Sequence, residues 1–188
     1  MQPIKIDLLI NSRWIIPVVP ENLVFENCAL AIDQQKIVGI YPQTEAETKF
    51  DAASVVDLAD HILMPGLVNA HGHAAMSLLR GYADDLPLQP WLEEHIWPVE
   101  ARVLSAEFVA DGTNLAMAEM IKTGTTCFAD MYFFADTVAE QVQRSGMRSQ
   151  IGFTVFDFPT AGGKDPDDYI HKGLQLRDTY KGDGLIKI

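Results

Sequence analysis

Two histidines one residue apart, His71 and His73 in the run Asn69-Ala70-His71-Gly72-His73, are the residues of this chain best suited to chemistry by type and spacing. Residues i and i+2 of a strand point to the same face, so both imidazoles can turn toward one ion. Gly72 between them leaves the backbone unhindered. Imidazole is the usual nitrogen ligand of Zn²⁺ and also suits Fe²⁺. Two ligands are nonetheless too few, because zinc enzymes hold their ion with at least three protein side chains. The other histidines do not complete the set: His61 precedes the strand, His95 falls in a long loop, and His171 lies on a polar helix. Two partly exposed histidines on a loop is the competing reading of the same residues.

The elements around this pair decide whether it can work. LMPGLVNAH is a nearly uninterrupted apolar run, which predicts a strand buried on both faces of a parallel sheet, with the histidines at its C-terminal end. A connecting loop, GYADDLPLQPWLEEHIWPVEARV, follows. Glu107–Lys122 then reads as a helix, with Ser105 as N-cap and Gly124 as the stop. TTCFADMYFF is a second buried strand, Asp136–Ser145 a helix, RSQIGFTVFDF a third strand, Pro166–Tyr180 a helix and GLIKI a fourth strand. Such alternation means βαβ units around a parallel sheet. Before this, residues 1–60 read as short strands with turns between them. IDLLINSRWIIPV and CALAIDQQKIVGIYP are rich in β-branched residues, and Asp33-Gln34-Gln35-Lys36 interrupts the second as a hairpin loop would. An α/β protein follows, and patterning leaves open whether its sheet is a complete four-stranded one or the front half of a larger (β/α) barrel.

Composition narrows the function. The 188 residues carry 14 Lys+Arg against 26 Asp+Glu, a net charge of −12, with 48% hydrophobic residues. That is the balance of a folded globular chain, and its negative charge repels nucleic-acid phosphates. The stretch from Ile4 to Val19 carries Lys5, Asp7 and Arg13, so it is neither a signal h-region nor a membrane span. Cys28 and Cys127 stand far apart, as reduced thiols of a cytoplasmic protein do. The expected partner is therefore a small molecule, with neither nucleic acid nor membrane.

The segment PGLVNAHGHAAMSLLRGYADDLPLQPWLEEHIWPVEARV resembles the amidohydrolase superfamily, in its branch of 5-methylthioadenosine/S-adenosylhomocysteine deaminases and related chlorohydrolases. The stretch EMIKTGTTCFADMY and the run Ser145-Gly146-Met147-Arg148 are similar to the same branch. The resemblance implies the N-terminal half of a metal-dependent-hydrolase (β/α)8 barrel in residues 61–188. It implies the N-terminal part of a composite β-sandwich domain in residues 1–60. His71 and His73 match the metal ligands of the family's first barrel strand. Glu100 matches a glutamate that contacts the nucleoside, at the ribose hydroxyls. Trp91 belongs to the loop that walls the pocket, with a core anchor for that loop as the other reading. Asp130 reads as a polar residue tying its strand to a loop by hydrogen bonds.

The implied activity is hydrolytic deamination of an adenosine-type nucleoside to the inosine-type product and ammonia, with one divalent metal, zinc or iron. Such a metal brings the pKa of a bound water from about 16 toward about 7. Triazine or guanine-type hydrolysis, and a non-catalytic remnant, are the alternatives. The family's remaining metal ligands and its proton-handling residues lie on later strands, beyond Ile188. The sequence is therefore expected to be an N-terminal fragment, inactive alone and without catalytic proton-transfer residues of its own. A substrate-binding arginine that some relatives place after the Gly-Met-Arg run is replaced here by Ser149-Gln150-Ile151-Gly152-Phe153. Relatives often pair or form tetramers, which leaves a homo-oligomer open.

Overall fold

A computed structural model describes residues 2–188 and divides them into two compact units, meeting between Pro65 and Gly66. The first unit contains β1 (Ile4–Ile15), β2 (Phe25–Asp33), β3 (Lys36–Pro42), α1 (Gln43–Lys49) and β4 (Phe50–Leu63). The strands form one sheet in the order β3-β2-β1-β4, with β1 and β4 parallel and the other neighbours antiparallel. The β2–β3 hairpin closes at the Asp33↔Lys36 pair, as the sequence predicts. Its two loop residues, Gln34 and Gln35, both have positive φ, the geometry whose twist matches paired strands. Neither is a glycine or asparagine. The Asp7 carboxylate stabilises the turn by accepting the Gln34 N–H at 2.7 Å. Ile6, Leu9, Ala29, Ala31, Ala46 and Phe50 form the core of this unit. The sequence pattern missed α1, because seven residues give too few turns to display a helical period; buried Ala46 anchors it to the sheet.

The second unit begins at β5 (Leu67–Asn69), followed by a 3₁₀ helix over Ala74–Leu79. A run of helix comes next: α2 (Leu88–Pro90), a π-helical turn over Trp91–Ile96, and α3 (Trp97–Val103). Then follow α4 (Ala106–Lys122), β6 (Thr125–Met131), α5 (Ala135–Ser145), β7 (Arg148–Gly152), α6 (Pro166–Thr179) and β8 (Ile186–Lys187). The strands pair in parallel in the order β5-β6-β7-β8, which is the βαβ arrangement the alternation predicts. Its helix starts are chemically explicit. Ser105 Oγ accepts the Phe108 N–H at 3.1 Å, and Asp165 accepts that of Asp168 at 2.9 Å, with Pro166 in the first turn of α6. Val109, Met117, Phe128, Val138, Val142, Ile151 and Ile186 form the core between helices and sheet.

Three expectations change. The segment 88–103 is helical rather than a loop: Pro87 and Pro90 sit at the start of the run, where a missing N–H costs nothing, and conceal the helix that follows. β5 is three residues long and stands at the sheet edge, with Leu67 and Val68 exposed rather than buried on both faces. β7 ends at Gly152. Residues beyond it leave the sheet to build an aromatic cluster, in which Phe156 stacks on Phe133 and meets Tyr169 edge-on.

Candidate metal centre

β5 ends at Asn69, so His71 and His73 lie just past the strand rather than within it. The Asn69 side chain causes the departure: its Oδ1 accepts the His71 N–H at 3.3 Å, a local turn that competes with extended pairing. The two imidazoles still come together. Their ring centroids are 5.3 Å apart and the planes nearly perpendicular, at 75°. Gly72 suits the close approach, since a Cβ there would lie a tight 3.3 Å from the Ala129 carbonyl oxygen and 3.4 Å from Asn69 Nδ2.

The C-terminal end of β6 holds this segment at several points. Met131 N–H donates to the Gly72 carbonyl at 3.3 Å, and the Met131 carbonyl faces His73 Nδ1 at 2.6 Å. A carbonyl can only accept, so Nδ1 carries the proton and the Nε2 lone pair is free for a ligand role. Asp130 Oδ1 accepts the Ala74 N–H at 2.7 Å. That bond bears out the expectation that Asp130 ties strand to loop. The second Asp130 oxygen is buried and lacks a hydrogen-bond partner. Burial pushes the Asp130 carboxyl above its ordinary range, against the opposing pull of the Ala74 N–H and the His73 charge.

Glu100 lies on α3, buried, and its Oε1 accepts the Tyr132 hydroxyl at 2.5 Å. Tyr132 is buried too, its ring centroid 6.5 Å from that of His73, so one aromatic side chain joins the glutamate to the histidine pair. Sequence reasoning did not single out Tyr132. The available signal was its position two residues after Asp130 at a strand end, where i and i+2 share a face. Burial raises the Glu100 carboxyl above its usual range, opposed by the Tyr132 hydroxyl and the His73 charge, while burial and the Glu100 carboxylate push the Tyr132 hydroxyl strongly upward. Trp91 is half-buried on the π-helical turn, on the same helical run as Glu100. His61 and His171 are exposed, and His95 pairs edge-on with Tyr82 instead.

A carboxyl whose pKa is raised on folding favours the protein below the ordinary carboxylate range and disfavours it as pH rises through the folded value. In chelator-treated protein, Glu100→Gln should therefore gain thermal stability relative to the parent as pH goes from about 4 to about 7. Melting curves across that range check it; a constant difference would show that burial does not burden the carboxylate.

The donor set fits part of a zinc shell. Two imidazoles lie side by side, one with its proton fixed on Nδ1, and the buried Asp130 carboxylate, with one oxygen unpaired, holds the backbone just after them. Among the described residues no group of three or more His, Cys, Asp or Glu is placed to hold a metal.

Residues 62–187 match the amidohydrolase family, and the chain belongs to that family. It is 52% identical over 183 residues to a 5-methylthioadenosine/S-adenosylhomocysteine deaminase of Teredinibacter turnerae, covering 97% of this chain and 41% of the relative. It is 46% identical over 183 residues to a 5'-deoxyadenosine deaminase of Methanosarcina acetivorans, covering 96% of this chain and 41% of the relative. An adenosine deaminase from Xanthomonas campestris, solved with bound zinc, superposes with a TM-score of 0.96 at 47% identity over 98% of this chain and 42% of that one. An atrazine chlorohydrolase from Arthrobacter aurescens superposes at 0.83 with 20% identity over 96% of this chain and 45% of that one, a likeness of fold alone. The chain thus spans about two fifths of the length of the curated relatives it matches. Among the described residues no helix is long and apolar enough to cross a membrane.

Proposed function

We propose that this chain supplies the first two metal ligands and part of the nucleoside pocket of a hydrolase that deaminates adenosine-type nucleosides to inosine-type products and ammonia. The observation that carries the reading is the close approach of His71 and His73 beside the Glu100–Tyr132 pair. Similarity to relatives described as deaminases of 5-methylthioadenosine, S-adenosylhomocysteine and 5'-deoxyadenosine supports the substrate class.

Each side chain has a part. His71 and His73 hold a divalent metal, zinc by the chemistry of the pair and by analogy with the zinc-bound relative. When bound, the metal supplies acidification of a water, so that hydroxide is available near neutral pH. Glu100 accepts hydrogen bonds from the ribose hydroxyls, and the Tyr132 hydroxyl fixes which carboxylate oxygen faces them. Trp91 forms part of the wall.

On this reading residues 61–188 are the first four β/α units of a (β/α)8 barrel, and residues 1–60 the first part of a composite β-sandwich domain. The protein works in the cytoplasm, consistent with two unpaired cysteines. With only two ligands in place, the 188 residues alone do not turn over substrate. The test is ammonia release from S-adenosylhomocysteine and 5'-methylthioadenosine, by this chain and by the same chain extended with the reading frame that follows it. Activity in the extended protein alone is the expected result. Activity of the short chain equal to that of its His71→Ala variant is part of the same expectation, and an inactive extended protein would overturn the reading.

A further inference from the structure

We propose that Asp130 is a positioning residue for His73, acting through its hydrogen bond to the Ala74 backbone N–H to hold the imidazole in the orientation and tautomer that frees Nε2. The inference rests on the metal-centre reading above and assigns a role to a residue outside the ligand pair.

His73 stands between two anchors, and both belong to the end of β6. On one side Gly72 is tied by its carbonyl to Met131 N–H, and on the other Ala74 is tied by its N–H to Asp130 Oδ1 at 2.7 Å. With both neighbouring residues fixed, the His73 side chain swings only about its own torsions, and the Met131 carbonyl at 2.6 Å from Nδ1 removes most of that freedom. Remove the Asp130 bond and the peptide after His73 is held only by the 3₁₀ turn that begins there. A strand side chain buried to 3% exposure, spending one oxygen on a backbone N–H and leaving the other unpaired, is a costly way to tie down a loop. The placement makes sense if the held segment has to be rigid to within the tolerance of a ligand atom.

The experiment uses the chain with metal removed. Long-range proton–nitrogen NMR at about pH 8, above the ordinary histidine range, assigns the imidazole tautomers. The expected result is His73 with its proton on Nδ1. In Asp130→Ala, His73 should become a mixture of tautomers while His71, anchored separately through Asn69, stays unchanged. Zinc titration followed on the same ring signals should show affinity weakened roughly tenfold or more, the usual cost of losing an outer support. Asp130→Asn keeps an acceptor oxygen for the Ala74 N–H, so tautomer and affinity should remain close to the parent. Three results would overturn the proposal: a parent His73 protonated on Nε2 or averaged between forms, a folded Asp130→Ala protein with unchanged His73 signals, or an asparagine variant as impaired as the alanine one. The parent spectrum and the asparagine variant decide the matter even if the alanine variant does not fold. A parent that binds no zinc sinks the metal-centre reading instead, while the tautomer measurement still decides the role of Asp130.

Discussion

Zinc affinity of the His73→Ala protein should fall by roughly a hundredfold or more, since losing a ligand costs at least what losing one of its outer supports does. The chain brings two imidazoles to one place, so losing either leaves a solitary donor, and a lone imidazole does not outcompete water and buffer for the ion. His73 is the more severe of the two to lose. Its Nδ1 is committed to the Met131 carbonyl, which orients Nε2 in advance and spares the ion the entropy of fixing that ring. His71 is anchored only through its backbone N–H, so His71→Ala should cost the same donor with less of the preorganisation. His171→Ala, at an exposed position on α6, is the control and should bind zinc as the parent does. Competition against a chromophoric chelator measures all three. Unchanged affinity in both His71→Ala and His73→Ala would place the ion elsewhere and undo the site.

Phe128→Ala should destabilise the chain by about 3–5 kcal/mol, the usual cost of deleting a fully buried aromatic ring. Set against a total of about 5–15 kcal/mol for an ordinary domain, that is a large part of the whole. Phe128 is 1% exposed at the middle of β6, a strand with a neighbour on each side, and belongs to the cluster that includes Val109, Val138 and Ile151. The ring lies two residues before Asp130, so the same strand that fills the core also carries the supports of His73. Urea unfolding should show the loss as a lower midpoint with an unchanged slope. Leu115→Ala on α4, where the side chain is 40% exposed, should cost well under half as much. Equal losses at the two positions would mean that the core is not where the structure puts it.

Periodicity alone determined a good deal of this protein. The β2–β3 hairpin, the helices α4, α5 and α6 and the strands between them are written in local signals: turn residues, capping side chains and runs of apolar residues suited to a parallel sheet. Ser105, Asp165 and Gly146 cap their helices by side chain or left-handed backbone, as short-range chemistry requires. The spacing of His71 and His73 marks them as the proposed ligand pair, and the resemblance of their surroundings points to Glu100.

Tertiary structure decided the rest. The helical run around Trp91 and Glu100 was hidden because prolines read as breakers whether they start a helix or end one, and only the chain around them settles which. The histidines converge after leaving the strand, not by alternation within it, because Asn69 turns the backbone and β6 catches it again. Asp130, Met131 and Tyr132 are about sixty residues from His73 along the chain, and one of their contributions is a backbone carbonyl that any residue could provide. No local pattern encodes such a pairing. It exists because β5 and β6 lie side by side and parallel, with Asn69 opposite Phe128, which brings two strand ends into hydrogen-bonding distance.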